Sequence, residues 1–170
     1  MTYRSDSDIY AVYDRLFKKD AEQLPGHEYH MYEWSDVRNA ITKKDKMILQ
    51  FVSNCYSHSG RETVVSELQK YIDVSVLGKC SNIPCNSKCE KEMLERHRFY
   101  LAFENSLCDE YVSEKVWKMK RLIVPIVLRA KDYLMLLPNG SFLAVDHFPS
   151  IYHLAMRLHE LASNVSEYER

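Results

Sequence analysis

The stretch FYLAFENSLCDEYVSEKVW, residues 99–117, runs from an unbroken apolar segment straight into Glu104 and Asn105. Beyond a short acidic loop it continues into Tyr111, Ser113, Glu114 and Lys115. With the two residues before it, its start HRFYLAFEN, 97–105, has the length and aromatic content of a buried strand. Ser113 is placed to cap a helix carrying Val112, Val116 and Met119 on one side. A buried strand that ends in a carboxylate and a carboxamide needs polar partners, because unpaired polar groups out of water are costly. The expectation taken from this junction is that a ligand supplies them.

The same alternation extends to either side. MILQFVSN, 47–54, is an apolar run ending in Ser and Asn. In RETVVSELQKYI, 61–72, Val64, Leu68 and Tyr71 or Ile72 fall at helical spacing. DVSVLG, 73–78, is a β-branched run stopped by Gly78, so 47–78 reads as a β-α-β unit with a parallel crossover. Residues 79–96 read as a Cys-rich, charged loop with a short helix ending near Arg96. RLIVPIVL, 121–128, suits a strand covered on both faces, with Pro125 favouring a sheet edge or a strand start. SFLAVDHF, 141–148, gives another short strand, and Ile151, Leu154, Ala155, Leu158 and Leu161 form a helical apolar stripe. Strands alternating with helices predict an α/β fold, a Rossmann-like, doubly wound parallel sheet over residues 46–170. Residues 1–45 show little periodicity and read as a connector, with VYDRLF opening a short helix and LPGHEYH a turn.

The chain has 170 residues, 46% of them hydrophobic and 28% charged, enough for one domain with a real core. Its net charge of -1 leaves no electrostatic footprint for nucleic acid or anionic membrane. No apolar run reaches membrane-spanning length, and MTYRSDSD lacks the apolar core of a signal peptide. Asn139-Gly140-Ser141 and Asn164-Val165-Ser166 are N-glycosylation sequons, so Asn139 and Asn164 are candidate acceptors. Five cysteines leave at least one unpaired. The spacing of CSNIPCNSKC departs from the two-residue knuckle of structural zinc, which favours a loop disulfide or free thiols over a zinc-stabilised module.

Ligands of open α/β sheets bind beyond the carboxyl ends of the strands, where Ser53-Asn54 and Glu104–Lys115 fall. Neither GxGxxG nor GxxxxGK[ST] is present, so phosphate would have to be held by side chains and helix ends. Arg61 and Lys115 each follow a strand near the start of a predicted helix, on the same edge of the sheet. One offers a fork for phosphate oxygens and the other a point charge. Glu114 has the chemistry to bind paired ribose hydroxyls or to favour a helix's first turn, and Tyr111 to line a sugar pocket or anchor its loop.

These residues resemble the signature of the α1,3-fucosyltransferases: an aromatic residue, then Phe-Glu-Asn-Ser, a short loop and Tyr-Val-Ser-Glu-Lys. YRSDSDI at 3–9, FVSNC at 51–55, SGR at 59–61, VPIVL at 124–128 and SFLAVDHF at 141–148 extend the likeness in the family's order, and 59–80 is similar to invertebrate members. The resemblance implies the C-terminal, GDP-fucose-binding half of a GT-B glycosyltransferase. Arg61 and Lys115 would face the diphosphate, Glu114 the ribose, and Tyr111 and Asn105 the donor pocket. It implies transfer of fucose, with inversion, to an N-acetylglucosamine-containing glycan. The general base would come from an N-terminal domain that ends at YRSDSD, so no catalytic base is expected here and the fragment alone is expected to be inactive. A membrane anchor and Golgi-lumen location would likewise belong to that missing part. No cofactor is required. Asp6-Ser7-Asp8 is compatible with a divalent ion such as Mn2+, which the family does not imply, and no metal ligand is assigned. The competing expectation is a noncatalytic interaction protein that keeps a GDP-binding fold. Two departures from the family pattern stand out: Met119-Lys120-Arg121 and Arg129 where alanine and glycines are usual, and YAVYD at 10–14 where Pro-Tyr-Gly is usual.

Overall fold

In a computed structural model, which describes residues 2–16 and 31–169, the apolar runs become five parallel strands. They are β1 Lys46–Phe51, β2 Val74–Leu77, β3 His97–Leu101, β4 Val124–Val127 and β5 Leu143–Ala144, in the order β2-β1-β3-β4-β5. Successive side chains of a strand point to opposite faces, and here both faces are apolar. Ile48, Phe99, Leu101, Phe103 and Ile126 enter one core, whereas Leu49, Tyr100, Ala102 and Val127 enter the other.

Among the described residues there are five α-helices: α1 Trp34–Thr42 before β1, α2 Arg61–Leu68 and α3 Ser87–Arg96 between strands, and α4 Ile151–Ser163 and α5 Val165–Tyr168 after β5. Val65 and Leu68 of α2 and Leu154, Ala155, Leu158 and Leu161 of α4 cover the first face. Leu94 of α3, with Val116 and Trp117 of a 3₁₀ turn at Val116–Arg121, covers the second. The predicted stripe of α4 is the buried one, and Ser150 caps that helix by accepting from His153 N. Asn86 does the same for α3, accepting from Cys89 N.

The strand order places a functional site. The connection after β1 leads to β2 on one side, and the one after β2 crosses back to β3 on the other side of β1. β1 and β3 therefore flank a topological switch point, whose carboxyl-end crevice is where such sheets bind ligands. Two loops leave the strands at that end: 52–60 after β1 and 104–115 after β3.

Several elements differ from the sequence expectation, each for a physical reason. Val112, Ser113 and Glu114 are not helical, because Ser113 N–H and hydroxyl are both bonded to Glu104, and only the 3₁₀ turn from Val116 follows. β5 is two residues long, and the chain turns through a 3₁₀ segment at Val145–His147. Pro125 lies in an interior strand, but near its start and ahead of the first residue that pairs with β5, so no ladder bond is lost on that side. α1 occupies part of the expected connector. Ile41 is its one buried residue, too few to show as a stripe. Residues 12–16 of VYDRLF are not helical, while Phe17 and the LPGHEYH turn lie outside the described residues.

The cysteines resolve into two disulfides, Cys55–Cys80 and Cys85–Cys89, with Cys108 free and exposed. Three of the clustered cysteines are thus committed to two bonds, which removes the zinc reading. Cys55–Cys80 ties the 52–60 loop to the end of β2, where Gly78 has φ 114° and a Cβ would come 2.5 Å from the Val52 carbonyl oxygen. Only glycine fits that approach. Cross-linking removes more denatured-state entropy for a longer loop, and the sequence separations are 25 and 4. Cys55→Ser is therefore expected to lower the unfolding free energy by about 1.6 kcal/mol more than Cys85→Ser, measured by urea denaturation under oxidising conditions.

Candidate functional site

One wall of the crevice is the loop after β1, which Gly60 in the left-handed region (φ 69°) turns into α2. Arg61 opens that helix and is buried. Its Nη1 donates to the Phe103 carbonyl (2.9 Å) and its Nη2 to the Asn54 carbonyl (2.7 Å). Nε makes no hydrogen bond, but the Glu62 carboxylate lies 3.4 Å away. Ser59 completes the stitching, its N–H donating to the Asn105 carbonyl and its hydroxyl to the Glu104 carbonyl. Glu62 in turn accepts from Ser57 N and Oγ. Burial pulls the Glu62 carboxyl upward, but bonds from its own backbone N–H and from Ser57 outweigh it and hold it below the usual range. The two loops are thus bonded along consecutive residues 103–105.

Glu104 is the centre of the other wall. It is 4% exposed, and its carboxylate accepts from Ser113 N (2.8 Å), from Ser113 Oγ (2.8 Å) and from Lys115 Nζ (2.9 Å). The polar partners that the junction requires are therefore internal, which corrects the expectation that a ligand supplies them. The reason is spacing: the loop returns nine and eleven residues later with a hydroxyl and an ammonium. Lys115 Nζ also donates to Ser113 Oγ (2.7 Å), and the exposed Glu114 carboxylate lies 3.5 Å from it. Hydrogen bonds to Glu104 and Ser113 take two of the three ammonium hydrogens, and the exposed Glu114 carboxylate stands beside the ammonium as a third partner.

The sequence candidates thus meet at one place in unequal roles. Arg61 and Lys115 converge on adjacent residues, Phe103 and Glu104, at the end of β3. Arg61 has both terminal nitrogens spent on carbonyls, so its guanidinium shapes the rim from behind rather than standing open as a fork. Lys115 sits at the N-cap of the 3₁₀ turn instead of inside an α-helix. Burial pulls the Glu114 carboxyl upward, but its own backbone N–H and the Lys115 charge prevail and keep it ionised below the usual range. Asn105 is half-buried. Tyr111 packs against Tyr3 in a tilted arrangement, with ring centroids 5.2 Å apart, and on the side toward β4 it lines a narrow crevice with Glu104, Arg129, Asp132 and Tyr133. Burial raises the Tyr111 phenol, so it stays a neutral donor.

Other marked positions are also placed. Arg129, in extended backbone, donates to Asp132 Oδ2 (2.8 Å) and to the Cys108 carbonyl (3.1 Å), tying the 105–111 loop down where a glycine is usual. Leu122 has φ 56°, so the backbone next to Met119-Lys120-Arg121 adopts a conformation glycine would adopt freely. Asp6 is engaged by Arg4 through two bonds, and among the described residues no cluster of three His, Cys, Asp or Glu side chains could hold a metal ion. Asn139 is exposed in a turn, and the exposed Asn164 caps α5 by accepting from Glu167 N. Among the described residues no helix is long and apolar enough to cross a membrane.

A larger concavity, about 340 Å³, lies at the opposite end of the sheet, among Tyr32, Asn39, Lys44, Glu95 and Arg121, which precede the starts of β1, β3 and β4. Lys44 is buried there and donates to the carbonyls of Leu94 and His97, closing the end of α3, while burial lowers its pKa to about 8. Size alone would favour this pocket. The switch point and the convergent polar groups favour the other.

Sequence reasoning gave Glu104, Ser113 and Ser59 no donor-binding role, although Glu104 and Ser113 fall in the loop expected to meet a ligand. The signal for the first was present, a carboxylate closing an apolar strand. Ser59 is marked only as part of SGR at 59–61, and its structural role stays hidden because its partners come from another loop.

Comparison with known proteins follows the same geography. Residues 41–170 match the family model Glycosyltransferase family 10 (fucosyltransferase) C-term. The chain is 36% identical over 91% of its length to glycoprotein 3-alpha-L-fucosyltransferase A of Drosophila melanogaster, covering 31% of that protein. It is 36% identical over 76% of its length to alpha-(1,3)-fucosyltransferase fut-1 of Caenorhabditis elegans, also covering 31% of the relative. With the human 4-galactosyl-N-acetylglucosaminide 3-alpha-L-fucosyltransferase FUT6 it shares 35% identity over 99% of its length and 45% of the relative's. The chain thus spans less than half the length of these relatives. A crystal structure of an alpha1,3-fucosyltransferase with GDP-fucose superposes with a TM-score of 0.67 at 18% identity, over 89% of this chain and 48% of that one.

Proposed function

Since the chain belongs to glycosyltransferase family 10, the fucosyltransferases, we propose that it is the donor-binding half of an α1,3-fucosyltransferase and holds GDP-fucose in the crevice between the loops after β1 and β3. Residues 46–170 form the donor domain in this reading, and residues 1–45 connect it to an acceptor-binding domain. The single observation that supports it best is Lys115. Its ammonium is held by the buried Glu104 and by Ser113, with only the exposed Glu114 carboxylate as its third partner, at the carboxyl end of the switch-point strands.

In the proposed reaction an acceptor hydroxyl of an N-acetylglucosamine-containing glycan attacks the anomeric carbon of fucose, with inversion, as GDP departs. Charge builds on the diphosphate. A cation held in place before the reaction stabilises that charge without reorganising, usually the largest electrostatic contribution a site can make. Lys115 takes this role, Arg61 adds positive charge from behind the rim, and the ionised Glu114 accepts from ribose hydroxyls. Tyr111 and Asn105 line the pocket. The general base comes from the acceptor domain, and the complete protein works in the Golgi lumen.

Calorimetric titration tests the donor site without acceptor or second domain. GDP is expected to bind and UDP to bind at least tenfold more weakly, about 1.4 kcal/mol of discrimination by base contacts. Equal affinity for both, or none, would contradict a GDP-fucose site.

A further inference from the structure

Glu110 has φ 60°, a left-handed backbone that disfavours any residue with a Cβ. Strain of this kind persists where the surroundings over-determine it, and it clusters at binding sites. Glu110 is gripped from two sides. Its N–H donates to Asp132 Oδ1 (3.3 Å), and its carboxylate accepts from Ser5 N (2.6 Å) and Ser5 Oγ (2.9 Å). The next residue is Tyr111, whose ring lies against Tyr3 at an interplanar angle of 59°.

The segment that supplies Tyr3 and Ser5 is a closed loop. Thr2 N donates to the Ile9 carbonyl and Ala11 N to the Thr2 carbonyl. Inside it the Ser7 hydroxyl reaches the carbonyls of Arg4 and Ile9, and Arg4 pairs with Asp6. This loop presents one aromatic ring and one hydroxyl to the two residues that end the 105–111 segment. Ser5 and Glu110 are exposed and Tyr3 only half-buried, so the contact adds little to the core.

We propose that Tyr3 and Ser5 are positioning residues of the donor pocket, the closed loop Thr2–Ala11 clamping Glu110 and Tyr111 so that the 105–111 segment is preorganised for the nucleotide sugar. This rests on the donor-site reading above, in which Tyr111 lines the pocket. A preorganised segment saves the ordering cost of binding, so its loss appears in affinity rather than in global stability.

The test titrates GDP into the parent chain, Tyr3→Ala, Tyr3→Phe and Tyr111→Ala, with the urea midpoint of each measured alongside. Tyr3→Ala is expected to weaken GDP roughly threefold to tenfold, the range of an aromatic pair. Its midpoint should match the parent's, and Tyr3→Phe, which keeps the ring contact, should restore the affinity. Parental affinity in Tyr3→Ala while Tyr111→Ala binds weakly overturns the clamp and leaves the donor site standing. An affinity loss that tracks a lowered midpoint, or that Tyr3→Phe fails to restore, also overturns it. No GDP binding by the parent chain overturns the clamp and the donor site together.

Discussion

Replacing Glu104 with alanine is expected to lower the unfolding free energy by about 3 to 5 kcal/mol, the cost of removing one partner from a buried ion pair. The carboxylate is nearly inaccessible and takes three bonds from the 104–115 loop, two from Ser113 and one from Lys115. Deleting it leaves a buried backbone N–H and a buried hydroxyl without their acceptor. It also frees an ammonium whose side chain is 16% exposed. That residual exposure lets water rehydrate Lys115, so the double variant Glu104→Ala with Lys115→Met recovers only part of the loss. Urea denaturation of the four species of this cycle should give a coupling of about 0.5 to 3 kcal/mol. Additive losses would mean that the pair does not hold the loop.

Lys115→Ala is expected to weaken GDP by tenfold to a hundredfold, the worth of about 1.5 to 3 kcal/mol for a hydrogen bond to a charged group. The unfolding free energy should fall as well, because the buried Glu104 carboxylate loses its cation. Glu104 keeps both bonds from Ser113, however, so the affinity is read well below the unfolding transition. The affinity loss should shrink as salt is raised, since Lys115 lies at the rim where ions screen it. Calorimetry at two ionic strengths reads both effects. An unchanged affinity would remove Lys115 from the diphosphate site.

Much of this architecture is legible in the sequence where a residue's environment is set by its near neighbours. The strands β1, β3 and β4 are apolar on both faces and so appear as unbroken runs. α4 shows its period because four residues of one stripe are buried. α1 buries only Ile41 and therefore leaves no pattern. The helix expected after Ser113 fails because that serine's polar groups bond a carboxylate nine residues earlier, a competition that propensity does not register.

The site divides the same way. The loops after β1 and β3 follow from strand order, so Arg61 and Lys115 could be brought to one edge by reasoning about topology alone. What Arg61 does there could not, because its Nη1 bonds a carbonyl 42 positions along the chain, and a sequence window holds no record of that contact. The Tyr3 and Ser5 contacts are more distant still, with Ser5 and Glu110 separated by 105 positions.

The central claim is that the ammonium anchored by Glu104 and Ser113 is the cation that receives the diphosphate. Determining the structure of this chain with GDP tests it most directly. The account predicts diphosphate oxygens within about 3 Å of Lys115 Nζ, in the crevice between the loops after β1 and β3. GDP seated instead over Lys44 at the opposite end of the sheet, with Lys115 bonded only to Glu104 and Ser113, would contradict it.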